Sequence, residues 1–438
     1  MKIFNFKLIL AVCMVISPIV FISTGFAKEA RYYVTQDGAG KMDGSSWENS
    51  ARDLKGLMDC LEEEASVWVA AGTYSPGAES DDSFILKKGL KLYGGFAGTE
   101  TKIDERDAEV NATVLSGGKI SRRVAVVTAV GKSLSDDTCL DGFTITGGMN
   151  VQNGGGIYVD IFGAPLISQC IVTDNVVYEY GGGMYNYYSS PLILSCTFSG
   201  NQSLNEGGGG VYNHCSSPVI KNCSFLSNKS YSHGGGMLSY TGILKVLDST
   251  FSGNKSSFRG GGMSSYSSTL EIKNCVFDEN KGEEYGGGMH NEDSFSNISN
   301  CVFSNNETTP GNGGGVANVD SSVKISGCKF LSNTANYYGG GISNFNSSLE
   351  ISGSVLVENR AMRFGGGGIV NWLSTMTMNN CQISENVSNA GGGIYNNNSS
   401  SVIENSAFSN NKAKKNNDIE NENSKSTLKN CVMSEDLS

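Results

Sequence analysis

Residues 179–190 read EYGGGMYNYYSS, three consecutive glycines followed by Met184, Asn186 and a group of tyrosines. Glycine loses more backbone freedom on folding than any other residue, so a run of three needs a physical reason. Phosphate cradles, calcium loops, linkers and tight backbone paths all supply one. The remainder of the chain decides among them. The same run precedes Ile157, Val211, Met237, Met263, Met289, Val316, Ile342, Ile369 and Ile394. Neighbouring copies lie about 26 residues apart, a spacing that signals a solenoid.

A second motif, Cys-x-φ-x-x-Asn with φ apolar, runs in phase with the first. It pairs Cys170 with Asn175, Cys196 with Asn201, Cys223 with Asn228, Cys275 with Asn280, Cys301 with Asn306, Cys328 with Asn333 and Cys381 with Asn386. Serine replaces cysteine at Ser249, Ser354 and Ser406, and a weaker copy begins at Cys431. Between the two motifs lies a short apolar segment, such as PLIL at 191–194 or LEI at 270–272. Each unit reads as three short strands separated by turns, with no helical period. Other readings of the glycines fail on spacing. Gly131-Lys132-Ser133 imitates the end of a phosphate loop, but Val126 stands where the first glycine belongs. Calcium-binding nonapeptides require a far shorter period and an aspartate absent here.

One such unit cannot bury its apolar face alone, whereas stacked copies can. The sequence therefore predicts an all-β parallel β-helix of about ten regular coils, a rod on the order of 50 Å long. Met184, Val211 and Met237 would line one wall of its core, and Phe198, Phe225, Phe251, Phe277, Phe303, Phe330 and Phe408 another. Asn186 and its counterparts, and the asparagines that close the cysteine motif, would form ladders of amides. Eight of the twelve cysteines share one column. Their side chains would point the same way, which is poor disulfide geometry, so we read them as buried free thiols. No Cys-x-x-Cys spacing suggests metal ligation.

Three regions are expected. Residues 1–27 read as a signal peptide: Lys2 and Lys7 precede an apolar run, and Gly25-Phe26-Ala27 offers a cleavage site. Residues 28–118 read as an N-terminal cap with the first irregular coils, including a short helix with Leu54, Leu57, Met58 and Leu61 on one face and Ser50 as its cap. Residues 119–438 read as the repeat array. No second long apolar segment follows the signal, so no transmembrane segment is expected in the mature chain. A net charge of −11 argues against a nucleic-acid partner.

The segments DGSSW at 43–47, VWVAAGTY at 67–74, LYGGFAGTET at 92–101 and LDGFTITGG at 140–148 resemble the N-terminal region of bacterial secreted right-handed parallel β-helix proteins. The GGG-φ and φ-x-x-Asn repeats resemble those of the chlamydial polymorphic outer-membrane proteins. The resemblance covers essentially all of the mature chain. It implies a right-handed coil, a secreted or cell-surface placement (outer-membrane-associated if Gram-negative), and adhesion through a glycan or a host or cell-surface protein.

Parallel β-helices also carry polysaccharide lyases and glycoside hydrolases. Such an enzyme would need clustered or paired carboxylates with a nearby base. The column one residue after GGG-φ holds Tyr158, Tyr185, Tyr212, Leu238, Ser264, His290, Ala317, Ser343, Val370 and Tyr395, none of them acidic. Glu283, Glu284, Arg259 and Arg363 read as solvated turn residues. His214, His233 and His290 fall on separate coils and are not expected to form a catalytic or metal cluster. No catalytic residue, metal or cofactor is therefore predicted. Tyr158, Tyr185 and Tyr212 are the candidate ligand-binding residues, stacked outward on successive coils; the competing reading packs them against neighbouring turns. The preferred function is a non-catalytic adhesion or ligand-binding scaffold, with a polysaccharide-active enzyme as the alternative.

Overall fold

A computed structural model describes residues 30–61, 64–120, 122–127 and 137–433. The signal segment and the Gly131-Lys132-Ser133 motif lie outside the described residues. In a representative coil the strands are Met184–Tyr187, Leu192–Leu194, Thr197–Ser199 and Gln202–Ser203. Each pairs in parallel and in register with its copy one coil later, so that Met184, Val211, Met237 and Met263 form one row. The first two strands of each coil build a 26-stranded sheet, the third a 13-stranded sheet and the fourth a 9-stranded sheet among the described residues. The chain is an all-β parallel β-solenoid.

The thirteen-stranded sheet exceeds the ten regular coils predicted because the irregular N-terminal segments join it. Gly72–Tyr74, Thr113–Ser116 and Phe143–Thr146 are its first members. The fourth strand is absent from the sequence-based expectation, since two residues are too few to show alternation.

The glycine run has two separate causes. Gly181 has φ of +67°, a left-handed conformation, whereas its two successors are excluded from bearing side chains by proximity. A Cβ on Gly183 would stand 2.6 Å from the carbonyl oxygen of Gly210, one coil away. The run is thus a turn followed by a backbone-to-backbone approach.

Met184, Val211 and Met237 are fully buried, as are the stacked phenylalanines. Phe225 and Phe251 stack with centroids 4.5 Å apart. Both asparagine ladders form. Asn201, Asn228 and Asn254 link amide to amide at 3.0 Å, and Asn186 donates to Asn213 at 2.7 Å. A serine ladder, missed in the sequence, closes the corner inside the large sheet: the Ser321 amide donates to Ser347 Oγ, and the Ser347 amide to Ser374 Oγ, each at 3.1 Å. The cysteines are free among the described residues. Sulfurs of the cysteine column play the serine's part where the Cys196, Cys275 and Cys301 amides meet Cys223, Cys301 and Cys328 Sγ, each at 3.4 Å.

The N-terminal helix spans Leu54–Cys60, but its cap is Asp53 rather than Ser50. Asp53 Oδ1 accepts from the Gly56 amide at 2.9 Å, while Ser50 is occupied with Thr35 at 2.7 Å. An Asp one residue before the helix wins over a serine four residues out, because only the former reaches the free amides of the first turn. No helix among the described residues is long and apolar enough to cross a membrane.

Candidate functional site

Strand register places Tyr158, Tyr185 and Tyr212 on successive coils, pointing away from the main core. Their rings stand 5.3 and 5.2 Å apart. The turn before each glycine run folds back over this column. Tyr180 stacks on Tyr212 at 4.5 Å, and the Arg123 guanidinium lies 4.6 Å from the centre of the Tyr158 ring. Tyr185 and Tyr212 keep only 6% and 5% of their surface exposed and form a second apolar cluster with Leu238. Burial pushes both phenols well above their ordinary titration range. Farther along the same column Ser264, His290, Ala317, Ser343 and Val370 are also buried, so outward phase does not bring solvent exposure there.

A half-buried row of rings, exposed at Tyr240, stands two residues farther on. Tyr187, His214, Tyr240 and Tyr266 share a row on four successive coils. Tyr187 stacks on His214 at 5.5 Å, and His214 on Tyr240 at 5.8 Å. Tyr188 meets Tyr187 edge-on at 4.8 Å. Tyr188 and Tyr240 are each 46% exposed. The same repeat phase held this signal in the sequence; comparing residues after the ladder asparagine, instead of before it, would have revealed it.

A polar cluster lies beside the strip. His233 Nδ1 and the Tyr266 hydroxyl are 3.1 Å apart, as are His290 Nδ1 and Ser264 Oγ. Arg259 is ion-paired with Glu292 and stands 3.4 Å from Glu284, so it is not the solvated arginine expected. His290 Nε2 is buried 3.5 Å from Glu292 Oε2 without a hydrogen bond. Burial and then the nearby Arg259 push His233 down to about 4, and the same causes with His233 hold His290 well below the usual histidine range. Two of the three histidines, although on separate coils, therefore approach the same Tyr266, His233 through its hydroxyl and His290 with ring centres 5.5 Å apart. His233 and Arg259 lie on the turns of successive coils, which bridge to each other in parallel and bring both side chains to the strand holding Tyr266. His214 stays apart, 3.1 Å from the Tyr212 hydroxyl. Burial and Arg259 thus make both imidazoles weak proton acceptors that stay neutral, while Arg259 can offset developing negative charge. Among the described residues no group of three or more His, Cys, Asp or Glu could hold a metal.

The third feature lies on the nine-stranded sheet. Gln202, Lys229, Lys255, Lys281 and Glu307 occupy one row on successive coils. They line an open groove of about 640 Å³ together with Leu204, Tyr231 and Thr309. Lys281 bonds Glu307 at 2.7 Å. The ammonium groups of Lys229 and Lys255 have no anionic partner among the described residues. Their backbones lie one strand spacing apart, about 4.8 Å, so the row concentrates positive charge on one face.

Residues 155–330 match the family model of the right handed beta helix region. No match was found among curated proteins. Similar solved structures include pectate lyase Pel9A, at 13% identity and a TM-score of 0.29, covering 92% of this chain and 79% of that one. The Azotobacter vinelandii mannuronan C-5 epimerase AlgE6 A-module is 11% identical, with a TM-score of 0.29, over 87% of this chain and 94% of that one. The Yersinia enterocolitica family 28 exopolygalacturonase is 12% identical, with a TM-score of 0.30, over 92% and 78%. These likenesses are distant, and no residue role passes across them.

Proposed function

We propose that this chain is an exported β-helix, secreted or held at a cell surface, that acts as a non-catalytic scaffold for a glycan or a cell-surface protein. The observation that carries the reading is the row Tyr187, His214, Tyr240 and Tyr266, one ring per coil, with exposed Tyr188 at its edge. Flat aromatic faces present large apolar area with a polar rim, which suits sugar rings and protein partners alike. Tyr158, Tyr185 and Tyr212 then act as the packed wall of the strip, since Tyr185 stacks on Tyr187 at 5.9 Å. A glycan array and a cell-binding assay with the chain from residue 28 onward test this reading. A Y188S/Y240S variant should lose at least tenfold in affinity while keeping its circular dichroism melting curve. Unchanged binding by that folded variant would sink the proposal.

The alternative, a polysaccharide-active enzyme, is favoured by one observation: Arg259, His233, Tyr266 and Glu292 converge from three coils. The same array should be assayed for new reducing ends and unsaturated products. Product formation that disappears in Y266F would replace the scaffold reading with a catalytic one.

A further inference from the structure

We infer that the lysine groove on the nine-stranded sheet is a separate binding site for a linear acidic glycan, a chain of carboxylated pyranose rings laid across the coils. Four features of the groove point to this ligand.

The first is spacing. The parallel register fixes Lys229, Lys255 and Lys281 at successive strand positions, about 4.8 Å apart. One pyranose unit has a comparable length, so the ring repeat keeps step with the coil repeat and the chain's carboxylates lie within reach of the flexible lysine side chains. The second is unmet charge. The chain carries a net charge of −11, yet this row gathers three cations, two of which have no anionic partner among the described residues. A polyanion removes their mutual repulsion on binding. The third is the groove wall. Tyr231 lines it with 60% of its surface exposed, and Phe258 meets the Tyr231 ring edge-on at 6.4 Å. A sugar ring has an apolar face for that wall and a carboxylate for the row. The fourth is the ends: Gln202 closes the row on one side, and Glu307, bonded to Lys281, closes the other. The acidic terminus sets the limit of the cationic stretch.

A nucleic-acid strand fits less well. Its phosphates recur at about 3.4 Å along a stacked strand, out of step with the coils. Its higher charge density also meets a chain of the same overall sign.

The site is independent of the aromatic strip, and the experiment separates them. Oligogalacturonate, its fully methyl-esterified form and an oligothymidylate of similar length are titrated calorimetrically into the chain from residue 28 onward. The acidic oligosaccharide should bind, its neutral ester should bind at least tenfold more weakly, and added sodium chloride should weaken the acidic interaction. K229Q/K255Q should lower affinity for the acidic oligosaccharide at least tenfold with an unchanged melting curve, because both side chains are exposed. Y188S/Y240S should leave it unchanged, so loss of the strip's ligand and loss of this one are told apart. Equal affinity in K229Q/K255Q, equal binding of the ester, or tighter binding of the oligothymidylate through the same lysines would each overturn the inference.

Discussion

Asn228 shows how much one side chain does in this solenoid. Its Oδ1 accepts from both the backbone amide and the side-chain amide of Asn201, each at 3.0 Å. Its Nδ2 donates to the Phe198 carbonyl at 2.9 Å and to Asn254 Oδ1 at 3.0 Å. Removing it strands buried donors and acceptors on both neighbouring coils, and a buried group left unpaired costs about 1–3 kcal/mol. Asn228→Ala should therefore destabilise the chain by about 2–4 kcal/mol, read as a lower urea midpoint. Asn228→Asp should not rescue it, since a carboxylate cannot donate to Phe198. This ladder was legible in the sequence because asparagine recurs in phase. The Asp53 cap was less so, because several polar residues precede the helix and only the backbone path shows which one reaches Gly56.

Strands and turns act in combination at the polar cluster. His233 and Arg259 come from the turns before two glycine runs, while Tyr266, His290 and Glu292 come from two strands of the large sheet. The groups facing the histidines are Arg259, Glu292, Tyr266, Tyr285 and Ser264. The fold holds both histidines neutral at pH values where an unfolded histidine, near 6.5, takes up a proton. The unfolded chain then binds more protons, so this contribution to stability is complete above about 6.5 and is lost as pH falls toward 4. Glu307, held low by Lys281, begins to lose its own contribution only near 4.5. Thermal midpoints should fall between pH 7 and 5 in the parent chain and fall less in H233Q/H290Q. Parallel declines in the two proteins would refute this assignment. The sequence separated these histidines by coil, and phase alone could not show that a turn on one coil reaches a strand on the next.

Across the whole molecule, stacking determines which groups meet solvent. Each inner coil buries its apolar row against two neighbours, so the cysteine column, interrupted by Ser249, Ser354 and Ser406, runs along the interior, and burial pushes the thiol of Cys381 up. Native alkylation should modify exposed Cys60 first, then half-buried Cys215 and Cys431, and leave Cys170, Cys196, Cys223, Cys275, Cys301, Cys328 and Cys381 intact until the chain is denatured. Peptide mapping by mass spectrometry reads this order. A column cysteine modified in the native state, or a disulfide between two of them, would contradict it. The amino-acid sequence by itself determined the coil, its inward rows and its ladders, because a parallel stack forces chemically similar residues to recur at one period. Only the tertiary structure decided which outward residues are open. The turns vary in length and path between coils, and they cover Tyr185 and Tyr212, expose Tyr188 and Tyr240, bring His233 to the tyrosine that His290 also approaches, and leave a row of lysines facing solvent.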